Sequence, residues 1–301
     1  MDIVLEQIRA GQVRAGMCKL QVLLRDRRRA LPTDAWREFI ADLRKHPLIG
    51  VLHGDPFTQR AFAKPRGYAG DAVMMDYIYG YGVEQFASLP PIDRQVFDFC
   101  TATPAPAAVR FRRELLAERI DVMAATAAAC GRPADVVAIA AGHLREADLS
   151  QAVRDGRVNL TAIDQDEESL EVIRRDYARF GVEAIKASVR GIIGGRAAIR
   201  ACDLVYSAGL YDYLPDAAAA RLTAIMFQSL RRGGQMLLAN FLPDGLDLGY
   251  MEGIMDWNLI YRDDAGMRAL LGEIDARDIG GIEQFHDPMG NITFLTVTKT
   301  A

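Results

Sequence analysis

From residue 134 onward, short apolar runs alternate with helical stretches, and this alternation restricts the fold more than any other feature of the chain. The runs are "ADVVAIAAG" (134–142), "VNLTAID" (158–164), "VEAIKAS" (182–188), "CDLVYSAG" (202–209) and "GGQMLLANF" (233–241). Between them lie helical patterns such as "EESLEVIRRDYARFG" (167–181) and "AAAARLTAIMFQSLRRG" (217–233). Apolar strands separated by helices predict a parallel sheet covered on both faces. The tail, "IEQFHDPMGNITFLTVTK" (282–299), predicts two strands joined at "DPMGN", an antiparallel hairpin that closes the sheet.

The first part of the chain reads differently. Residues 1 to about 132 are helical in pattern, with no strong strand before Val136. "TDAWREFIADLRKH" (33–46) has apolar residues at helical spacing, with Thr33 or Asp34 as its N-cap. "PAPAAVRFRRELLAERIDVMAATAAAC" (104–130) predicts a long amphipathic helix with prolines only at its start. The chain therefore divides into a helical part, 1–111, and an α/β part, 112–301. With 301 residues, half of them hydrophobic, it can bury a sizeable core. A net charge of −4 gives no reason to expect nucleic acid or an anionic membrane as partner, so a small-molecule substrate is expected. There is no signal-peptide pattern and no apolar run near the roughly 20 residues of a membrane span. Four scattered cysteines and four scattered histidines argue against a zinc site or any other metal, and the expectation is a reduced, cytoplasmic protein.

Ligands of open parallel sheets bind beyond the carboxyl ends of the strands, at the switch point. Gly142 ends the first run and allows close backbone approach. Asp164 ends the second, 22 residues on, where a carboxylate suits two ribose hydroxyls. The phosphate-binding G-x-G-x-x-G is missing, because "AIAAGHLREAD" has one glycine. That disfavours a dinucleotide and favours a nucleoside without phosphates, such as S-adenosylmethionine. Ala140 and Gln165 flank this pair. Ser188 and Val189, after the third run, stand where an adenine would rest.

At this point the chain from about 112 to 301 resembles class I S-adenosylmethionine-dependent methyltransferases, with "VVAIAAGHLRE" in place of their glycine-rich first motif. The resemblance implies a Rossmann-like methyltransferase fold: a mostly parallel seven-stranded sheet with a C-terminal hairpin, here preceded by a helical lid. Ala138 stands where that family carries an acid, and Ala140 and Leu144 where it carries glycines. Arg113 or Arg145 is then a candidate to hold the methionyl carboxylate. "RGYAGDAVMMDYIY" (66–79), "DLVYSAGLYDYLPD" (203–216) and "MDWNLIYR" (255–262) together resemble a bacterial subfamily associated with biosynthesis of 3-hydroxypalmitate methyl ester, a cell-density signal. The same group includes azetidine-2-carboxylate synthases, which cyclise S-adenosylmethionine.

"KPRGYAGDAVMMDYIYGYG" (64–82) holds four glycines, four tyrosines, two methionines and two aspartates. A methyl-transfer site must hold a sulfonium cation, align a nucleophile and exclude water. Aromatic faces stabilise a desolvated cation by roughly 2 kcal/mol. Tyr68, Tyr77, Tyr79, Tyr211, Tyr213, Trp257 and Tyr261 are candidates for that role. Met74 and Met75 would line an apolar acceptor pocket. Gly67 and Gly70 would make a turn pointing Tyr68 and Asp71 inward. The stretch is expected to form part of a helical lid. Ser207, Gly209, Tyr211 and Tyr213, after the fourth run, are expected to touch cofactor and acceptor. Asn240, ending the fifth, offers a donor and an acceptor. His143 is the histidine placed to act as a base. "RDRRR" (25–29) reads as a solvated helix face.

Methyl transfer to a small carboxylate or hydroxyl compound is the leading expectation, since a carboxylate needs positioning more than a base. Cyclisation of S-adenosylmethionine, by attack of its own amine with release of methylthioadenosine, is the alternative. A non-catalytic binding protein on the same fold is the third reading.

Overall fold

The computed structural model describes residues 1–301, and the chain forms two compact units. One comprises Met1–Arg110 and Asp244–Asn258; the other comprises Phe111–Pro243 and Leu259–Ala301. The division between the first two stretches falls inside the long helix Pro104–Ala128. The insertion Asp244–Asn258 was not expected: the sequence pattern had placed it, with Trp257, in the α/β part.

The second unit holds a seven-stranded sheet. Its strands are β1 (Ala134–Ile139), β2 (Val158–Asp164), β3 (Glu183–Lys186), β4 (Cys202–Ser207), β5 (Leu230–Phe241), β6 (Ile279–His286) and β7 (Ile292–Lys299). Their order is β3-β2-β1-β4-β5-β7-β6. β1 to β5 pair in parallel, and β7 runs antiparallel to both β5 and β6. β4 is buried at every position, as a strand covered on both faces must be. β3 and β6 are the edge strands, and both are largely exposed. The hairpin turns at 287–291 through Asp287, whose carboxylate accepts from the amides of Met289, Asn291 and Ile292. β5 begins earlier than expected, at Leu230, so "LRR" leaves the preceding helix, which ends at Ser229. Cys202 faces Leu230 while Leu204 faces Gln235, so β5 carries extra residues here, including Gly233 at φ +75°.

The first unit is helical. Val13–Ala30 buries Val13, Met17, Leu20 and Leu24, one stripe at helical spacing. Thr33–Leu43 starts one or two residues earlier than expected: Pro32 occupies the N-cap position, and neither Thr33 nor Asp34 caps it. Pro56–Ala63 is capped by Asp55, and Ala72–Tyr79 by Asp71. The short helix Leu248–Gly253, from the insertion, lies against Val13–Ala30. The arginines of 25–29 are not simply solvated: Arg28 pairs with Glu252 and Arg29 with Asp244. No helix of the chain is long and apolar enough to cross a membrane.

Candidate active site

The strand order reverses between β1 and β4, and the loops leaving β1, β2 and β4 gather at that switch point. The loop after β1 is wound tightly: Ala140, Gly142 and Leu144 all have positive φ, at +54°, +55° and +55°. Two of these are not glycine, although the left-handed region disfavours a Cβ. Next to it, Asp164 at the end of β2 is 7% exposed. Its Oδ2 accepts from the amide of Gly142 at 2.8 Å, and its Oδ1 from the amide of Asp166 at 2.9 Å. Burial raises its pKa, opposed by those two amides. Each carboxylate oxygen has a second lone pair for a further donor. Gln165, beside it, is exposed, and Ala140 and Gly142 are half-buried. Ser188 caps the turn of helix Val189–Ile193, its Oγ accepting from the amide of Gly191.

Ser207 is fully buried, and its hydroxyl donates to the carbonyl of Ile139 at 3.0 Å, tying β4 to β1 at their carboxyl ends. Gly209 and Tyr213 are half-buried in the loop that follows, as is Tyr261 in the stretch after the insertion. Two expectations in this region do not hold. Tyr211 was expected to meet substrate, but it is 0% exposed within the hydrophobic core. Its hydroxyl is engaged with Thr223 Oγ1 at 2.8 Å, and burial raises its pKa. Asn240 is likewise 0% exposed, with its amide donating to the carbonyls of Phe241 and Ile260 and its oxygen accepting from Arg262. Both side chains shape the floor of the loop.

The arginines are also redistributed. Arg145 donates to Asp176 at 2.8 Å and to the Tyr177 hydroxyl, which turns it toward helix Glu167–Tyr177 and away from the role expected of it. Arg113 is half-buried. Its neighbour Arg112, which the sequence pattern had not singled out, is 7% exposed and donates through Nη1 to the carbonyl of Ala208. The signal was present: Val109, Arg112, Leu116 and Ile120 recur at helical spacing on the buried face. Also missed was Glu146, whose Oε1 accepts from the Tyr206 hydroxyl at 2.7 Å. Burial raises the pKa of both groups, while Arg112 and Arg113 oppose the shift of Glu146. His143, 6% exposed, sits between Gly142 and this network in the chain.

In the helical unit, Gly67 and Gly70 adopt positive φ, at +85° and +74°. Asp71 is 1% exposed, caps its helix through the amide of Met74, and takes a two-pronged contact from Arg60 at 2.9 and 2.7 Å. Its carboxylate is thus committed to structure, unlike the catalytic role expected. Met74 is 0% exposed and belongs to the core of this unit, whereas Met75 is half-buried. Tyr77 packs edge-on against Phe86 and Phe97, at centroid distances of 5.0 and 6.3 Å. Tyr68 and Tyr79 are half-buried, and Trp257 is 7% exposed.

No protein-family model and no curated protein matches this sequence. Among solved structures, the chain is similar to a possible exported protein from Bordetella parapertussis, at 20% identity, with a TM-score of 0.57, covering 90% of this chain and all of that one. It is also similar to the S-adenosylmethionine-dependent methyltransferase SibL, at 16% identity, with a TM-score of 0.51, covering 82% of this chain and 70% of that one. These likenesses show architecture: the chain has the Rossmann-like fold of S-adenosylmethionine-dependent methyltransferases, with a seven-stranded mixed sheet, a C-terminal antiparallel hairpin and N-terminal helices.

Proposed function

We propose that the protein binds S-adenosylmethionine and transfers its methyl group to a small carboxylate or hydroxyl compound. The observation that carries this reading is the junction of Gly142 and Asp164 at the carboxyl ends of β1 and β2. A buried carboxylate fixed by two amides keeps two acceptor positions, which fit a pair of ribose hydroxyls. The loop of Ala140, Gly142 and Leu144 has no run of glycines to wrap a pyrophosphate, so a nucleoside without phosphates suits it better than a dinucleotide.

In this reading Asp164 and Gln165 hold the ribose, Ser188 and Val189 border the adenine, Ala140, Gly142 and Gly209 line the middle of the cofactor, and Ser207, buried and bonded to Ile139, fixes the strand end beneath them. Arg113 faces the methionyl carboxylate. When bound, S-adenosylmethionine supplies an electrophilic carbon on a sulfonium centre. Tyr213 and Tyr261 offer aromatic faces to such a cation. A carboxylate acceptor is already nucleophilic at neutral pH, so alignment and exclusion of water suffice; for a hydroxyl acceptor, His143 is the candidate base. The three motifs that resemble the 3-hydroxypalmitate methyl ester subfamily make hydroxy acids and acyl carboxylates the first acceptors to try.

One observation favours the cyclisation reading. Ala138 is fully buried in register with Tyr206, so no acid stands at that position, near the carboxyl end of β1, to hold the methionyl amine as an ammonium. Attack by that amine requires its neutral form. Mass spectrometry after incubation with S-adenosylmethionine alone separates the readings. Methylthioadenosine with a new amino acid establishes cyclisation. S-adenosylhomocysteine that forms only when a hydroxy acid or acyl substrate is added establishes methyl transfer. An intact cofactor under every condition, with binding seen by calorimetry, leaves the non-catalytic binder.

A further inference from the structure

The loop after β4 is fixed from beneath by one buried guanidinium. Arg262 is 5% exposed. Its Nη1 donates to the carbonyl of Tyr211 at 2.8 Å and to Asn240 Oδ1 at 2.9 Å. Its Nη2 donates to the carbonyl of Leu214 at 2.6 Å and to Asp216 Oδ1 at 2.7 Å. Its own amide donates to the carbonyl of Phe241. Asp212 completes the clasp, with its carboxylate accepting from the amide of Phe241 at 2.7 Å and its carbonyl from the amide of Ile260 at 2.7 Å. On the other side Arg112 takes the carbonyl of Ala208. The carbonyls of Ala208, Tyr211, Asp212 and Leu214 are therefore all held by donors from other segments.

Charge pairing does not account for Arg262. Its carboxylate partner Asp216 is 86% exposed, and a solvated partner returns little. Taking a guanidinium out of water is expensive, and apolar replacements at buried ion pairs are often neutral or stabilising. What arginine offers instead is a rigid planar fork that fixes several acceptors at once. We propose that Arg262 is a positioning residue: it sets the loop 208–214, and through Gly209 and Tyr213 it sets ligand affinity. The proposal rests on the reading that this loop borders the S-adenosylmethionine site.

The test uses the full chain and three variants. R262K keeps the charge and loses the fork. D212A frees the same loop from Phe241. V153A removes buried methyl groups from a separate short helix, Gln151–Arg154, which follows β1 and not β4. Calorimetry with S-adenosylmethionine should show at least a tenfold weaker affinity in R262K and D212A and a change under twofold in V153A, which is a control for general destabilisation. Hydrogen–deuterium exchange of peptides spanning 207–216 should accelerate in R262K and D212A alone. If wild type does not bind, the functional reading fails while the exchange arm still judges the clasp. Affinity within twofold of wild type, or unchanged exchange, in whichever of R262K and D212A keeps its circular dichroism overturns the proposal.

Discussion

Ala140 and Leu144 both place a side chain in the left-handed region, at φ +54° and +55°. Such a conformation costs about 1–2 kcal/mol. Glycine removes that cost but gives the unfolded chain more freedom, worth roughly 0.4–1 kcal/mol. At Ala140, where only a methyl group is lost, the balance favours glycine. Ala140→Gly is expected to stabilise the protein by about 0.5–1 kcal/mol, read as a higher urea midpoint. Leu144 is 1% exposed, and loss of its side chain forfeits about 2–3 kcal/mol of burial, so Leu144→Gly is expected to lower the midpoint. A lower midpoint for Ala140→Gly would show that the alanine methyl makes contacts that outweigh the strain. A second residue-scale consequence concerns Asp55. Burial pushes its pKa up to about 6, against the amides and hydroxyl of its own cap. A raised acid pKa means that the folded state holds the proton more tightly than the unfolded one. Its contribution to stability is therefore full below about pH 4 and is lost as pH rises through 6. The loss is on the order of 2–3 kcal/mol. The stability of wild type minus that of Asp55→Asn should fall between pH 4 and pH 7; a flat or rising difference contradicts this.

Between elements, the sharpest constraint is the approach of Leu248–Gly253 to Val13–Ala30. A Cβ on Gly249 would lie 2.7 Å from the carbonyl carbon of Leu24 and 2.8 Å from its oxygen, and backbone atoms cannot swing aside. Gly249→Ala is expected to cost about 1–3 kcal/mol as overpacking. Gly50→Ala, in the helix Leu48–Leu52 with nothing within 4 Å of its Cβ, should instead stabilise by about 0.5–1 kcal/mol. Equal effects at the two positions would sink the argument. The same contrast explains what could be read from the sequence. The sheet was legible because its strands are apolar at consecutive positions, and the juxtaposition of Gly142 and Asp164 was legible because both close neighbouring parallel strands. The helix Leu248–Gly253 was not, since six residues whose side-chain partners lie 192 to 224 positions away leave no local period. Arg262, Asp212 and Glu146 escaped for the same reason: their partners lie 22 to 60 residues off in the chain. Tyr211 and Asn240 were read as open to ligand because their position at or beyond a strand end is legible, whereas the direction of a side chain there is not.

At the scale of the whole chain, the helical unit is not a contiguous piece of sequence. Asp244–Asn258 belongs to it although those residues follow β5. Within that unit Asp247 accepts from Gln21 and from the amide of Ala105, both at 2.6 Å. Glu252 takes the indole N–H of Trp36 at 2.7 Å, and Tyr250 meets Thr58 at 3.0 Å. Arg44 donates to the carbonyls of Glu252 and Gly253. A fragment ending at Arg110 would leave Gln21, the amide of Ala105 and the Trp36 indole without these partners. Each orphaned buried polar group costs about 1–3 kcal/mol. Three of them, with the loss of the apolar contacts of Tyr250, Met251 and Trp257, are comparable with the whole stability of a domain, about 5–15 kcal/mol. Residues 1–110 expressed alone are therefore expected to be largely unfolded by circular dichroism and amide spectra. A fusion that appends 244–258 through a flexible linker is expected to restore a cooperative melt. A fragment 1–110 that melts cooperatively by itself would show that the insertion decorates this unit and does not complete its core.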